Sequence, residues 1–337
     1  MKLHGIIILS ILCVAAPANA KRVHAYVVVD VQNKRILAKK NANDSCHPAS
    51  LTKKMTLYLL FDALKKGIVR LDTKFRISEH AVSQRPSKLG LSAGESISVR
   101  KVIEALVVKS ANDAAVVAAE GLAGSEEAFV TRMNETARSL KMYNTHFENA
   151  SGIQHPKQVT TAKDMARLAI SLLRAFPEFA SIFALRTFKY NGNTYYTHNH
   201  LLNTLQGSNG IKTGYVDASG YNVSASIIRY DESHNPVHLV CVVMGHESPI
   251  KRDQEVIDLV EPILIKRKAF FYKAVNPQDA GKNFASQTAT KSVWGRAAVR
   301  TKDGTKLLLE QFEQRHSMSA YLNAFTTARL KRGRVPF

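Results

Sequence analysis

Apolar residues recur along this chain in two rhythms. β-Branched runs at Val23–Asp30 and Arg35–Lys39, parted by Val31-Gln32-Asn33-Lys34, predict a β-hairpin. From Ser50, apolar residues at Leu51, Met55, Leu57, Tyr58, Leu60, Phe61 and Leu64 follow the helical period. Pro48 stands ahead of that helix, Lys65 and Lys66 sit in its last turn, and Gly67 supplies the stop. Residues 68–100 show no sustained period. Helical spacing returns at Val102–Val108, breaks at Ser110-Ala111-Asn112-Asp113 and resumes to Ala119, and Glu126–Leu140 and Ala162–Ala175 predict two further helices. The period then shortens to two. Gly210–Gly214, Tyr221–Ile228 and Val237–Met244 read as strands, and Arg252–Arg267 as a closing helix. Strands near both ends of a helical middle predict an α/β domain whose sheet joins the two ends under a cover of helices.

Composition narrows the class. With 45% hydrophobic and 22% charged residues over 337 positions, the chain can bury a substantial core in one or two domains, which excludes a disordered or low-complexity protein. Three cysteines without a C-x-x-C pair exclude a disulfide-stapled scaffold and a cysteine-based structural zinc site. The net charge of +20 favours an anionic partner such as a nucleic acid, an acidic membrane surface or a wall polymer. The first twenty residues decide among these. Lys2, an apolar run from Gly5 to Ala16 with no polar face, and Ala18-Asn19-Ala20 read as a secretory signal too short to span a bilayer. A mature chain from about Lys21 keeps 46 Lys+Arg against 27 Asp+Glu. An exported protein of that charge meets its anions at the cell envelope, and nucleic acid drops out as a partner. From about Asn276 the composition shifts to eleven Lys/Arg against four Asp/Glu, with an apolar stripe at Phe312, Met318, Tyr321, Leu322 and Phe325. The expected organisation is a signal at 1–20, a main domain at 21–275 and a basic, amphipathic tail at 276–337. With Arg329, Lys331, Arg332 and Arg334 after its stripe, that tail suits a peripheral contact with anionic lipid.

Three short motifs carry candidate chemistry. Ser50-Leu51-Thr52-Lys53 opens the first long helix, and its i,i+3 spacing puts a hydroxyl and an amine on one face. A serine hydroxyl is a poor nucleophile until a base takes its proton, and a desolvated, neutral lysine can be that base. The bland alternative is a capping serine and a solvated lysine. A second such spacing, Ser248-Pro249-Ile250-Lys251, follows a strand with no helix start in view and reads as chance. Ser110-Ala111-Asn112 lies at a break between helices, where ordinary capping by Ser110 and Asp113 competes with a functional role. Lys212-Thr213-Gly214 ends a strand; a cation, a hydroxyl donor and a glycine that admits close approach suit a carboxylate ligand, and a plain strand end is the alternative.

In order and spacing the three motifs form the set of penicillin-recognising active-site serine enzymes. The text around them resembles the low-molecular-mass penicillin-binding proteins, the serine-type D-alanyl-D-alanine carboxypeptidases, over roughly Val23 to Arg267. The matching stretches are Pro48–Lys53, Val108–Ala115, Phe147–Gly152 with Gln158–Asp164, and Asn199–Leu202 leading to Gly210–Tyr215. The resemblance implies a β-lactamase/transpeptidase-like α/β fold, with an antiparallel sheet of about five strands flanked by helices and a helical subdomain. It implies an acyl-enzyme on Ser50 with Lys53 as its base, Ser110 relaying a proton to the leaving amine, and Asn112 holding Lys53 and the substrate amide. Lys212 and Thr213 would bind the substrate's terminal carboxylate, and the backbone N–H groups of Ser50 and Tyr215, beside Gly214, would form the oxyanion hole. Arg252 matches a second carboxylate-binding cation, with a solvated helix-start arginine as the alternative. No cofactor or metal is called for.

The implied substrate is a peptidoglycan stem peptide ending in D-Ala-D-Ala, the implied inhibitors are β-lactams, and the implied place is the periplasm or cell envelope. A class A β-lactamase shares the fold but needs a carboxylate base before Lys-Thr-Gly, and residues 148–164 lack a Glu-x-x-x-Asn arrangement. A D,D-endopeptidase cutting cross-links has the same motifs. A wall- or membrane-binding protein without catalysis would have no need of Ser50. The chain stops about sixty residues after the catalytic region, so the β-rich domain of many relatives is expected to be absent or truncated. For Cys46 and Cys241, a disulfide and two separate buried thiols both stand open.

Overall fold

The structure, a computed structural model, describes residues 22–270 and 272. The expected export signal and the basic tail from Asn276 lie outside the described residues. Strand β1 (Ala25–Asp30) and β2 (Ile36–Lys40) form the expected hairpin, with Val27 opposite Lys39 and Val28 opposite Ala38. A short 3₁₀ turn, Ala49–Thr52, leads into α1 (Lys53–Lys65). This helix is buried on nearly every side, as its almost continuous run of apolar residues requires. The stretch that showed no period holds short pieces: β3 (Lys74–Arg76) pairs with β4 (Ser96–Ser98), and α2 (Glu79–Val82) lies between them, capped by the Ser78 hydroxyl. Helix α3 (Val99–Glu104) runs into a π-helical turn, Ala105–Lys109. There the chain breaks, with Ser110 at φ 60°, and α4 (Asn112–Ala123) starts afresh.

Helices α5 (Glu126–Ser139) and α6 (Ala162–Ala175) stand where the apolar spacing puts them. Three pieces had no sequence signal: a 3₁₀ segment at Pro177–Ala184, the small hairpin of β5 (Thr187–Tyr190) and β6 (Asn193–Tyr196), and a single turn, α7 (Leu201–Thr204). Strands β7 (Ser208–Val216), β8 (Gly220–Tyr230) and β9 (Pro236–His246) then complete one five-stranded sheet in the order β2-β1-β9-β8-β7, antiparallel throughout. The closing helix α8 (Pro249–Lys266) starts three residues before Arg252, because the Ser248 hydroxyl accepts from the Lys251 N–H and Pro249 occupies the first turn. The Ser248–Lys251 spacing is therefore a helix cap, which corrects the reading of that stretch as lacking a helix start.

Alternation along β9 divides the core. Val240, Val242 and Met244 face the helical side, where α1, α4 and α6 pack, while Leu239, Cys241 and Val243 face Val256, Val260 and Leu264 of α8. Cys46 belongs to the first core and Cys241 to the second, on opposite faces of the sheet, and both are buried free thiols. This closes the disulfide alternative: the sheet stands between them. Among the described residues no helix is long and apolar enough to cross a membrane.

Candidate active site

The edge strand β7 runs alongside the 3₁₀ turn that carries Ser50, and the loop after residue 150 closes over the same turn. Two glycines make this approach possible. A Cβ on Gly214 would lie 2.9 Å from the Ser50 amide nitrogen, and one on Gly152, at φ +88°, would lie 1.9 Å from the Ala49 carbonyl oxygen. Neither position has room for a side chain. The turn is strained in its own right, with Ala49 at φ 49°. The cap positions of this turn and of α1 are Pro48 and Thr52, so Ser50 is not the helix cap, and its hydroxyl meets Lys53 instead.

Lys53 is fully buried. Its Nζ lies 3.0 Å from Ser50 Oγ, 2.7 Å from Asn112 Oδ1 and 2.5 Å from the Ser151 carbonyl oxygen. These three oxygens satisfy the three N–H groups of an ammonium, and they also accommodate the neutral amine that burial favours. In the neutral form two N–H groups serve the two carbonyl oxygens, and the lone pair is left for the proton of the serine hydroxyl. Burial pushes the Lys53 ammonium well below the usual lysine range; the positive charge of Lys212 pushes the same way, and Asp113 opposes it. Asn112 is itself fixed: its N–H donates to the Ser87 carbonyl at 2.7 Å and its side-chain amide to the Arg85 carbonyl at 2.8 Å. The Asp113 carboxylate is bound by the N–H groups of Leu89, Gly90 and Leu91, so it anchors that loop to α4 and forms no capping box with Ser110.

A cleft of about 590 Å³ opens over Ser50. Ser110, Asn112, Thr213, Gly214, Tyr215 and Arg252 all line it, so the structure brings these sequence-predicted residues to one opening. Lys212 lies buried beneath, its Nζ donating to the Thr213 carbonyl at 2.9 Å; burial, with Arg252 nearby, lowers its pKa to about 7. Arg252 is only 3% exposed and pairs with Asp253 at 2.7 Å, which removes the alternative of a solvated helix-start arginine. Tyr215 is half exposed, its hydroxyl donating to Asp217 at 2.7 Å and its ring packed on Tyr221. Sequence reasoning passed over four contributors. The Ser151 carbonyl holds Lys53, Gly152 admits the Ser50 turn, and His198 and His200 line the cleft. His198 stays neutral, its pKa lowered to about 4 by burial and by Lys212. Ser151, Gly152 and His200 lie within the stretches that carry the resemblance but were given no role there; a carbonyl that binds through the backbone leaves no signal of its own.

A serine hydroxyl on a buried, depressed lysine at the floor of a cationic cleft is the arrangement of an active-site serine enzyme. The comparisons with known proteins agree. The Peptidase S11 family profile, described as D-alanyl-D-alanine carboxypeptidase, matches residues 13–248. D-alanyl-D-alanine carboxypeptidase DacA of Escherichia coli strain K12 is 33% identical over 271 residues, 78% of this chain and 64% of that protein. The crystal structure of the D-alanyl-D-alanine carboxypeptidase DacD from Francisella tularensis superposes with a TM-score of 0.67 at 30% identity, over 76% of this chain and 74% of that one. Penicillin-binding protein D2 of Listeria monocytogenes, in its ampicillin-bound form, gives 0.60 at 28% identity, over 73% of this chain and 98% of that one. The chain belongs to the Peptidase S11 family of D-alanyl-D-alanine carboxypeptidases and has the fold of the penicillin-recognising serine hydrolases. It spans just under two thirds of the length of the E. coli relative.

Proposed function

We propose that this protein is an exported D-alanyl-D-alanine carboxypeptidase that removes the terminal D-Ala from peptidoglycan pentapeptide stems through an acyl-enzyme on Ser50. The observation that carries this reading is the 3.0 Å contact between Ser50 Oγ and a fully buried Lys53 at the floor of the cleft. Neutral Lys53 takes the Ser50 proton as Oγ attacks the penultimate D-Ala carbonyl, and the oxyanion rests on the Ser50 and Tyr215 N–H groups. The C–N bond then breaks. Ser110 relays the proton held by Lys53 to the leaving amine, which returns Lys53 to its neutral form, and D-Ala departs. Water next attacks the ester, Lys53 again accepting a proton, and Ser50 leaves with that proton restored. Lys212, Thr213 and Arg252 hold the terminal carboxylate, two cations and a hydroxyl meeting one anion.

A β-lactam carries the same carboxylate beside a strained amide, so it acylates Ser50 in the substrate's place. Its leaving nitrogen stays tethered and shields the ester. Among the described residues that line the cleft, Asp217 is the one carboxylate, and it is engaged by the Tyr215 hydroxyl, so no dedicated carboxylate base of the β-lactamase kind stands ready to speed release. The penicillin adduct is long-lived for that reason. The bound form of the Listeria relative supports this reading. The enzyme works in the periplasm or envelope on peptidoglycan, in its maturation and the control of cell shape, and its basic tail touches anionic lipid.

Digestion of purified muropeptides followed by mass analysis tests the reaction. The expected products are free D-alanine and tetrapeptide stems, lost entirely in Ser50→Ala, which also loses penicillin labelling while melting within ~1 kcal/mol of the native protein. Cleaved cross-links without free D-alanine would make the enzyme an endopeptidase. Covalent penicillin labelling of Ser50→Ala would overturn the nucleophile.

A further inference from the structure

His24 and His246 come from opposite ends of the domain. The antiparallel pairing of β1 with β9 sets Ala25 opposite Met244, which brings the residue before β1 beside the last residues of β9. The chain then turns at Ser248 and α8 folds back, placing Glu255 in its second turn over the same spot. Both imidazoles converge on one oxygen: His24 Nε2 lies 2.8 Å and His246 Nε2 2.6 Å from Glu255 Oε2, with the rings edge to face at 4.8 Å. Among the described residues this is the one group of three histidine, cysteine or carboxylate side chains whose ligand atoms all lie within 4.8 Å of one another. A second His-Glu-His group, His146 and His155 around Glu148, shows the contrast. There the histidines approach different carboxylate oxygens, one of them at 3.6 Å, and both are largely exposed.

We propose that His24, His246 and Glu255 bind a divalent transition-metal ion, Zn²⁺ foremost, at a site separate from the catalytic cleft. Two imidazoles and one carboxylate make a donor set that suits zinc, with a further position open to water. Metal–ligand bonds of about 2.0–2.2 Å in a tetrahedron put ligand atoms about 3.3 Å apart, so each imidazole nitrogen would draw back from Glu255 Oε2 by roughly half an ångström to admit the ion. The metal replaces the proton that each imidazole otherwise needs to face the carboxylate. The side chains of His246 and Glu255 are 16% and 19% exposed and that of His24 34%, so the site is shielded and has an entry path. The three ligands sit on the lead-in to β1, the end of β9 and the start of α8. A bound ion would therefore staple the first strand, the last strand and the last helix, and it would do so without contact with the reacting groups.

The full-length protein, stripped with a chelator, is titrated with Zn²⁺ by calorimetry and with Co²⁺ by visible absorption. One saturable site is expected, with Co²⁺ bands of a nitrogen–oxygen environment and a melting temperature raised by several degrees at saturating Zn²⁺. Glu255→Gln and His24→Asn should each weaken binding by more than the ~10–100-fold typical of losing an outer-shell partner. His146→Ala should bind as the native chain does. Two variants are used so that a folding failure in one leaves the other to report. Absence of saturable binding to the stripped protein, or equal affinity in either folded variant, would overturn the site.

Discussion

As the proposed base, Lys53 has to be neutral to accept a proton and must then carry a charge beside Lys212, so the two lysines cannot titrate independently. The Lys212 charge is one of the causes that hold Lys53 below the usual lysine range, after burial itself. Lys212→Met removes that push. The Lys53 pKa then rises, its neutral fraction falls at any given pH, and the acid limb of Ser50 acylation moves to higher pH. Second-order labelling rates with a fluorescent penicillin across roughly pH 5–10 measure this. Slower labelling with an unmoved acid limb would mean that Lys212 acts on the carboxylate alone. Much of this residue-scale picture was legible in the sequence, because the i,i+3 spacing of Ser50 and Lys53 fixes their proximity once a helix begins there. What depresses Lys53 was not. Its burial and the Ser151 carbonyl come from a segment about a hundred residues downstream, and only the folded chain brings them to it.

Between elements, the place of Ser50, the proposed nucleophile, depends on three backbones meeting with almost no side chain between them: the 3₁₀ turn, strand β7 and the loop at Gly152. Gly152→Ala should be costly on two counts. The positive φ disfavours any Cβ by about 1–2 kcal/mol, and the added methyl would meet the Ala49 carbonyl at 1.9 Å, so the turn itself must move. Gly67→Ala, also at positive φ but with nothing within 4 Å, carries only the first cost. The expectation is a drop in melting temperature for both variants, larger for Gly152→Ala, and a loss of penicillin acylation for Gly152→Ala alone. Equal melting losses with intact acylation would show that the loop yields without disturbing Ser50. Elements that own a long apolar face were readable from the sequence, as α1, α5, α6 and the three long strands show. The misses share a different physics. Strands β3 to β6 are three or four residues long with mostly exposed faces, too short to show a period. The start of α8 was placed three residues late because it is set by the Ser248 cap and by Pro249 in the first turn, where proline is tolerated, and the stretch after the strand was read as showing no helix start.

At the scale of the whole molecule, the sheet is assembled from both ends of the described chain and α8 locks it shut. Arg229 of β8 and Glu261 of α8 form a buried ion pair, and Arg267 after α8 pairs with Asp30 of β1 at 2.5 Å. Each such pair sets one basic group against one acidic group and leaves the net charge of +20 unchanged, so the molecule is strongly cationic overall. From Asn276 onward the chain adds eleven basic residues against four acidic ones, a denser excess than in the domain before it. Each basic group near an anionic membrane surface is worth about 1 kcal/mol, and the attraction decays within a Debye length of about 8 Å at physiological salt. The domain's own charge also draws it to such a surface, so the tail's share must be read as a difference. The full chain and a chain ending at Thr305 should both sediment with vesicles rich in anionic lipid at low salt, the full chain more strongly. Its advantage should shrink as salt is raised and should vanish with zwitterionic vesicles, unless the stripe at Phe312, Met318, Tyr321, Leu322 and Phe325 inserts, in which case part of it survives salt. Identical partitioning of the two chains on anionic vesicles would show that the tail serves something other than the membrane.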